Sequence, residues 1–332
     1  MTSREAVSFM AAPFVGCVLS WRRAHRPILN SHGTTKAASM SIERIPGGGS
    51  AGFDKAVAAQ SRFIVRDDIK LHHLDWGNSG RHPIVLVHGS RLHAHVWNDF
   101  SRRFSDRYHI VALDQRGHGD SGWGPPDDYQ MENFYQDLRA VIEARGLSRF
   151  TLIGHSLGGR VSMLYAHRHP DVLERLVLVD ITPGRPSVPA GGESSDDERT
   201  APGVFDSPEA ALAHLKRLMP RAPAPLVEES VRHGVRRTDD GRYTWKYDPA
   251  FLAGRRSRSS AVDLWSAVKS ISTPTLLQYG SHSNVVSREL AARMAETMPR
   301  CTVERIEGAG HGLFTDQPDA FAQSVERFLA AA

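Results

Sequence analysis

The segment Gly154–Gly158 reads GHSLG and places a serine between two glycines in a G-x-S-x-G pattern. It follows the apolar run FTLIGH and opens SLGGRVSMLYAHRHP, which has the spacing of a helix. A serine on a sharp strand-to-helix turn projects its hydroxyl from the edge of a sheet, and only glycine fits two residues to either side. The helix N-terminus behind it favours developing negative charge. We therefore expect Ser156 to be a catalytic nucleophile.

A serine nucleophile needs a base that takes its proton. In this kind of turn architecture the chain order is serine, acid, histidine. His311 lies in EGAGHGLFTDQPDAF, after the last apolar run and before the final helical pattern. The neighbouring glycines suit a histidine that is presented on a tight loop. The sequence therefore predicts His311 as the general base, which takes the proton of Ser156 and returns it to the leaving group.

Acyl transfer also needs two backbone N–H groups that point at the carbonyl oxygen of the substrate. One should come from Leu157, the residue after the nucleophile. The other should come from Ser90, which follows the apolar run PIVLVH and the turn at Gly89. The sequence predicts that these two N–H groups form an oxyanion hole.

The elements that must position these residues are short apolar runs that alternate with longer amphipathic stretches. Such alternation predicts βαβ units and an α/β fold. We expect a mainly parallel, eight-stranded, doubly wound sheet with an inserted helical cap. The predicted strands are two short ones around the Asp67-Asp68 turn, and then residues 83–88, 108–114, 150–155, 175–180, 273–280 and 302–308.

One long interval interrupts the alternation, and it sets the expected domain boundaries. We assign residues 59–181 and 272–332 to the core, and residues 182–271 to a flexible loop followed by the cap. Trp245, Tyr247 and Trp265 could line a substrate pocket or could hold the cap together. Arginines of the cap could face a substrate carboxylate or could form a solvated face; they are Arg232, Arg236, Arg237, Arg255, Arg256 and Arg258.

Residues 1–58 are predicted to be a disordered N-terminal extension, with a targeting or export signal and a membrane-surface anchor as alternatives. The formal net charge of +4 lies in residues 1–42, so the remaining chain is formally neutral and nucleic-acid binding is not expected. The apolar stretch at 6–21 is too short for a stable membrane insertion. We expect a cytoplasmic protein that acts on a small molecule; the sequence does not indicate its oligomeric state.

Neither a cofactor nor a metal is expected. The two cysteines, Cys17 and Cys301, exclude a disulfide framework and have no metal-binding spacing. His93 and His95 form an H-x-H pair, but no third ligand falls at a useful spacing.

Several ordered motifs give the chain a family resemblance over residues 60–332. It resembles the α/β-hydrolase family, whose members carry HG after the third strand, DxRGHGxS after the fourth and GHSxGG at the nucleophile. These motifs stand here as His88-Gly89, DQRGHGDS at Asp114–Ser121 and GHSLGG at Gly154–Gly159. The resemblance implies the α/β-hydrolase fold. It also implies that DxRGHGxS shapes a loop beside the site, so that His118 has a structural role.

The acid departs from the common family pattern, in which G-x-x-D follows the seventh strand. Here Ser283 occupies the position of that aspartate, and no carboxylate lies nearby. The remaining candidate is Asp180, at the end of RLVLVD, and some family members do place the acid after strand six. The chain resembles those members, with D-x-T-P at Asp180–Pro183. We predict Asp180 as the acid; completion of the triad by Asn284 or by a bound water stays open.

The expected function is hydrolysis of a small-molecule ester, amide or related acyl bond through an acyl-enzyme. One alternative is hydrolysis of a carbon–carbon bond in a vinylogous diketone, which relatives with the same triad support. Another is a non-hydrolytic, ligand-binding homologue. The intact Ser156 and His311 argue against this last alternative.

Overall fold

The apolar runs form the strands of one large sheet, and the inserted segment adds three short strands. The strands are β1 (Gln60–Arg66), β2 (Ile69–Asp75), β3 (Pro83–Val87), β4 (His109–Leu113), β5 (Phe150–His155), β6 (Leu173–Val179), β7 (Val204–Phe205), β8 (Val235–Arg237), β9 (Tyr243–Trp245), β10 (Thr275–Gly280) and β11 (Cys301–Ile306). The large sheet has eight strands in the order β1-β2-β4-β3-β5-β6-β10-β11.

A computed structural model describes residues 58–184, 203–253 and 263–331 of the chain. The predicted extension at 1–58 lies outside the described residues except for its last residue. The stretch 185–202 and the cap arginines Arg255, Arg256 and Arg258 also lie outside them. Within the described residues, no helix has the length and apolar character that a membrane crossing requires.

The sheet is mainly parallel, as predicted. The first two strands form an antiparallel hairpin whose turn residues Asp67 and Asp68 have φ values of 48° and 62°. β2 also pairs antiparallel with β4, and all later pairs are parallel. β4 and β5 are buried along their whole length, because helices cover both faces of a parallel sheet.

Helices pack on both faces of the sheet and close two apolar cores. They are α1 (Asn98–Phe104), α2 (Met131–Ala144), α3 (Leu157–Arg168), α4 (Pro208–Leu218), α5 (Ala224–Gly234), α6 (Pro249–Ala253), α7 (Leu264–Lys269), α8 (Arg288–Thr297), α9 (Leu313–Asp316) and α10 (Pro318–Ala330). Short 3-10 helices occur at Ala94–Trp97 and Pro126–Asp128.

The segment between β6 and β10 holds the cap helices and also a small sheet in the order β7-β9-β8. The sequence indicated helices here and did not predict these strands. Residues 235–237, within the segment where the sequence indicated helices, belong to β8. α5 ends at Gly234 against the core, where a Cβ atom would lie 2.9 Å from Nε2 of His93.

α5 is hydrogen-bonded to the segment that follows β3. Nε2 of the buried His93 donates to the carbonyl of Ser230 at 3.0 Å. Glu229 accepts from Asn98 at 2.8 Å and from both terminal nitrogens of Arg102 at 2.8 and 2.9 Å. The cap helix is therefore fixed to the start of the first core helix.

Two histidine rings complete this contact. His95 on the 3-10 helix stacks on His233 of α5, with ring centroids 3.7 Å apart and planes within 8°. Burial and the neighbouring His233 lower the pKa of His95 to about 4. The pKa of His233 is also lowered, chiefly by burial. The stacked rings are therefore neutral near pH 7 and pack as a pair of aromatic groups.

Candidate active site

Ser156 lies in the predicted turn between β5 and α3, with φ 50° and ψ −112°. This region of backbone conformation is uncommon for residues other than glycine. The flanking glycines make the turn possible, because a Cβ at Gly154 would overlap the backbone of Gly158, and one at Gly158 would overlap the carbonyl of His88. The turn therefore has the geometry of a strained nucleophile elbow.

His311 and Asp180 lie together, although they are far apart in the chain. Nδ1 of His311 is 2.7 Å from Oδ2 of Asp180, whose side chain is 0% exposed. The other oxygen, Oδ1, accepts from the backbone N–H of Gly280 at 3.0 Å. A carboxylate in this place fixes the ring so that Nδ1 carries the proton and Nε2 is a free base.

Ser283 occupies the position where most family members carry the acid, and it contacts Asp180 directly. Its hydroxyl donates to Oδ2 of Asp180 at 2.6 Å. Oγ of Ser283 also accepts from the backbone N–H groups of Val285 and Val286, both at 3.0 Å. The next residue, Asn284, is exposed. The sequence showed that a carboxylate is missing here, but not that the serine is a hydrogen-bond donor to Asp180.

The loop that carries His311 is held at several backbone positions. Oδ2 of Asp316 accepts from the N–H of Gly310 at 2.8 Å, and Oγ of Ser281 accepts from the N–H of Gly308 at 2.9 Å. Burial raises the pKa of Asp316. These contacts place the glycine-rich loop against the end of β10.

The predicted oxyanion donors lie at the ends of adjacent elements. Leu157 is the first residue of α3, and Ser90 follows the end of β3. Neither N–H has an acceptor among the described parts of the chain. Two unpaired N–H groups beside a nucleophile elbow are what an oxyanion hole requires.

His88 braces the loop that carries Ser90. Its Nδ1–H donates to the carbonyl of Gly89 at 2.7 Å, and its Nε2 accepts from the N–H of Gln115 at 3.1 Å. The His88 carbonyl accepts from the side chain of Gln115 at 2.7 Å and from the N–H of Gly158 at 3.2 Å. Burial lowers the pKa of His88, so the ring stays neutral and keeps this tautomer. The sequence predicted the turn but not this brace.

Of the predicted pocket residues, Tyr247 lies beside the loop that follows β4. Its backbone pairs with that of His118. Burial raises the pKa of Tyr247, and the nearby positive charge of Arg91, the residue after Ser90, opposes that rise. Tyr247 is therefore close to a cation that is adjacent in sequence to an oxyanion donor.

Trp245 and Trp265 make other contacts. The Trp245 ring lies 5.2 Å from that of Phe205, within the small sheet of the cap. The Trp265 ring lies beneath the guanidinium of Arg293, 3.9 Å from its centroid, and is also close to Gly184. Both tryptophans thus have packing contacts, and their role in a pocket stays a prediction.

His72, Asp114 and Asp120 could each offer one ligand atom to a metal, all within 4.8 Å of one another. These atoms already have protein partners. Nδ1 of His72 is 2.6 Å from Oδ2 of Asp114, and Asp120 is 2.7 Å from Nζ of Lys246. The arrangement serves as a hydrogen-bond network that shapes the loop after β4.

The model of a family described as the alpha/beta hydrolase family matches residues 84–324, a range that includes Ser156, Asp180 and His311.

Several similar proteins are hydrolases by name. A 2-(acetamidomethylene)succinate hydrolase of Mesorhizobium japonicum is 28% identical over 277 residues, which is 82% of this chain and 98% of the relative. An esterase of Mycobacterium tuberculosis is 27% identical and covers 77% of this chain and 85% of its own length. The crystal structure of an E-2-(acetamidomethylene)succinate hydrolase has a TM-score of 0.72 at 25% identity, covering 82% of this chain and 100% of that one.

Replacement of Asp180 by asparagine tests the acid. The amide would favour the wrong tautomer of His311, so we expect kcat to fall by roughly 10³–10⁴-fold. Asn284→Ala is the matched control and should keep the wild-type kcat. Steady-state kinetics on an activated ester measure both variants. A loss below about tenfold in Asp180→Asn, or a large loss in Asn284→Ala, would show that another group orients the base.

Ser283→Ala tests the donor to Asp180. The variant leaves the carboxylate in place but removes one hydrogen bond, which contributes about 1 kcal/mol. We expect kcat to fall by about fivefold, with KM unchanged, because the donor affects the acid and not the substrate. Ser287→Ala, a helix-cap variant in the same loop region, is the control for general loosening of the loop. An equal loss of kcat in both variants would contradict a specific role for Ser283.

Proposed function

This chain belongs to the alpha/beta hydrolase family, and on that basis we propose that it is a serine hydrolase which cleaves an acyl bond of a small molecule through an acyl-enzyme. The observation that carries the proposal is the 2.7 Å contact between His311 and the fully buried Asp180, on a fold that presents Ser156 at a strained elbow.

The proposed reaction uses the site residues in fixed roles. Nε2 of His311 takes the proton of Ser156 while the serine oxygen attacks the substrate carbonyl. The N–H groups of Ser90 and Leu157 stabilise the negative oxygen of the tetrahedral intermediate. His311 then gives the proton to the leaving alcohol or amine. Water then attacks the acyl ester of Ser156; His311 takes the proton of the water and returns it to the serine oxygen as the acid product leaves. Asp180 stabilises the positively charged ring in both steps.

We propose further that residues 182–271 act as a cap that selects the substrate, since they follow β6, at the carboxyl end of the sheet, where such folds bind ligands. Arg91 makes a carboxylate-bearing substrate the favoured class. It is half-buried, directly follows Ser90 and lies near Tyr247. A similar protein is named for a substituted succinate, which is a dicarboxylic acid with an acetamido group.

Labelling with a fluorophosphonate probe tests the proposed chemistry. We expect a covalent adduct on Ser156 in the wild-type protein and none in Ser156→Ala, as measured by mass spectrometry of the peptide. Absence of the adduct from the wild-type protein would support the non-hydrolytic alternative.

A comparison of two substrates then separates acyl hydrolysis from carbon–carbon bond hydrolysis. Turnover of p-nitrophenyl acetate is expected for the first activity, and turnover of a ring-fission dienoate for the second.

Arg91→Gln tests the substrate class. We compare mono-p-nitrophenyl succinate with p-nitrophenyl butyrate, which lacks the terminal carboxylate. A lost charge-assisted hydrogen bond is equivalent to about 10- to 100-fold in kcat/KM. The kcat/KM for the succinate ester should fall by this factor, and the kcat/KM for the butyrate ester should stay at the wild-type value. Arg237→Gln, an exposed cap variant, is the control. Equal losses on both esters would exclude carboxylate recognition by Arg91.

A further inference from the structure

His155 stands directly before the nucleophile, and its side chain contacts the base. It is the last residue of β5 and is 3% exposed. Its Nε2 lies 2.9 Å from the backbone carbonyl oxygen of His311. Because a carbonyl oxygen only accepts, Nε2 of His155 must carry the proton and donate. His311 is therefore held twice, through its ring by Asp180 and through its backbone by His155.

The ring of His155 must be neutral for this arrangement to help catalysis. Its centroid is 4.5 Å from that of His311, which becomes positive when it takes the serine proton. A second positive ring at this distance would oppose that step. Burial, and then the nearby His311, lower the pKa of His155 well below its ordinary value. The ring is thus a hydrogen-bond donor that does not compete for the proton.

The same ring lies against the oxyanion loop. A Cβ atom on Gly89 would lie 2.5 Å from Nδ1 of His155, so the loop passes in direct contact with the ring. Phe314 packs edge-on nearby, with ring centroids 5.1 Å apart and an angle of 80°. Among the described residues, Nδ1 of His155 has no hydrogen-bond partner. The orientation of the ring is therefore set by its contact with the base and by packing.

The base needs such an anchor because its loop is rich in glycine. Glycines stand at positions 308, 310 and 312, and Gly308 has φ 75°. Glycine allows many backbone conformations. The bonds from Asp316 and Ser281 hold Gly310 and Gly308, and the bond from His155 holds the backbone of His311 itself. The nucleophile elbow, by contrast, is set by the sheet. His155 is adjacent to the nucleophile and bonds to the backbone of the base. Through this bond the rigid elbow fixes the position of the loop that carries His311.

We propose that His155 is a positioning residue that fixes His311 relative to Ser156 and contacts the oxyanion loop. The proposal rests on the proposed function, in which these two residues are the base and the nucleophile. His155 itself exchanges no proton with the substrate. Its role is to hold the backbone of the base through a neutral Nε2–H group.

Two variants separate the donor from the packing. His155→Leu keeps an apolar side chain in the space but removes the donor, and His155→Gln places an N–H group near the position of Nε2. A displacement of about 1 Å can cost on the order of 100-fold in rate. We expect kcat to fall by roughly 10- to 100-fold in His155→Leu with KM within about twofold. His155→Gln should recover most of the loss.

His73→Leu is the matched control. His73 lies in β2, is 1% exposed, and has no hydrogen-bond partner for either ring nitrogen among the described residues. The His73→Leu variant lacks a buried histidine that lies outside the site, and it should keep the wild-type kcat. If His155→Leu does not fold, as judged by near-UV circular dichroism, His155→Met replaces it.

Hydrogen exchange gives a readout that does not need activity. Backbone amides in the peptide that spans residues 307–313 should exchange several-fold faster in His155→Leu, and at the wild-type rate in His155→Gln and His73→Leu. Wild-type kcat and exchange in His155→Leu would overturn the proposal, as would equal losses in the leucine and glutamine variants. If the fluorophosphonate probe does not label the wild-type protein, the proposed function fails, while the exchange rates still decide the positioning role.

Discussion

The site depends on one buried carboxylate. A negative charge without exposed surface is costly unless hydrogen bonds satisfy its oxygens. Asp180 receives bonds from the N–H of Gly280, the hydroxyl of Ser283 and Nδ1 of His311. The first two donors come from the end of β10 and the loop that follows it. The position of the acid is therefore fixed independently of its contact with the base. In the proposed reaction the ring of His311 becomes positive, and its charge then faces a carboxylate that water does not reach.

The parallel strands also fix the backbone of two residues of the site that have a strained conformation. Ser156 and Asp180 follow the neighbouring strands β5 and β6, and both have positive φ, 50° and 49°. Such backbone persists only where the surroundings fix it. The N–H of Ser156 donates to the carbonyl of Val179, and the N–H of Asp180 donates to that of Gln278. Each turn is therefore bonded to the next strand of the sheet, and the nucleophile and acid share one rigid frame.

The sequence predicted the parts of the site that local patterns determine. The elbow at Ser156 has its own motif, and the chain order placed His311. Asp180 followed from the absence of a carboxylate after the seventh strand. The contact of Ser283 with Asp180 joins residues 103 positions apart, so no local pattern contains it. The same holds for the bond from His155 to His311, across 156 positions. β8 and β9 have three residues each, too few to show a strand period.

In the proposed function, the contact between the cap and the core links substrate selection to the oxyanion hole. α5 is fixed by His93, by the stacked rings of His95 and His233, and by Glu229, and these contacts begin three residues after Ser90. A shift of the cap would therefore act on the same short segment that presents the oxyanion donor. Binding energy from contacts between the cap and the substrate can then stabilise the transition state more than the bound substrate. For this reason, we expect changes in the cap to affect kcat as well as KM.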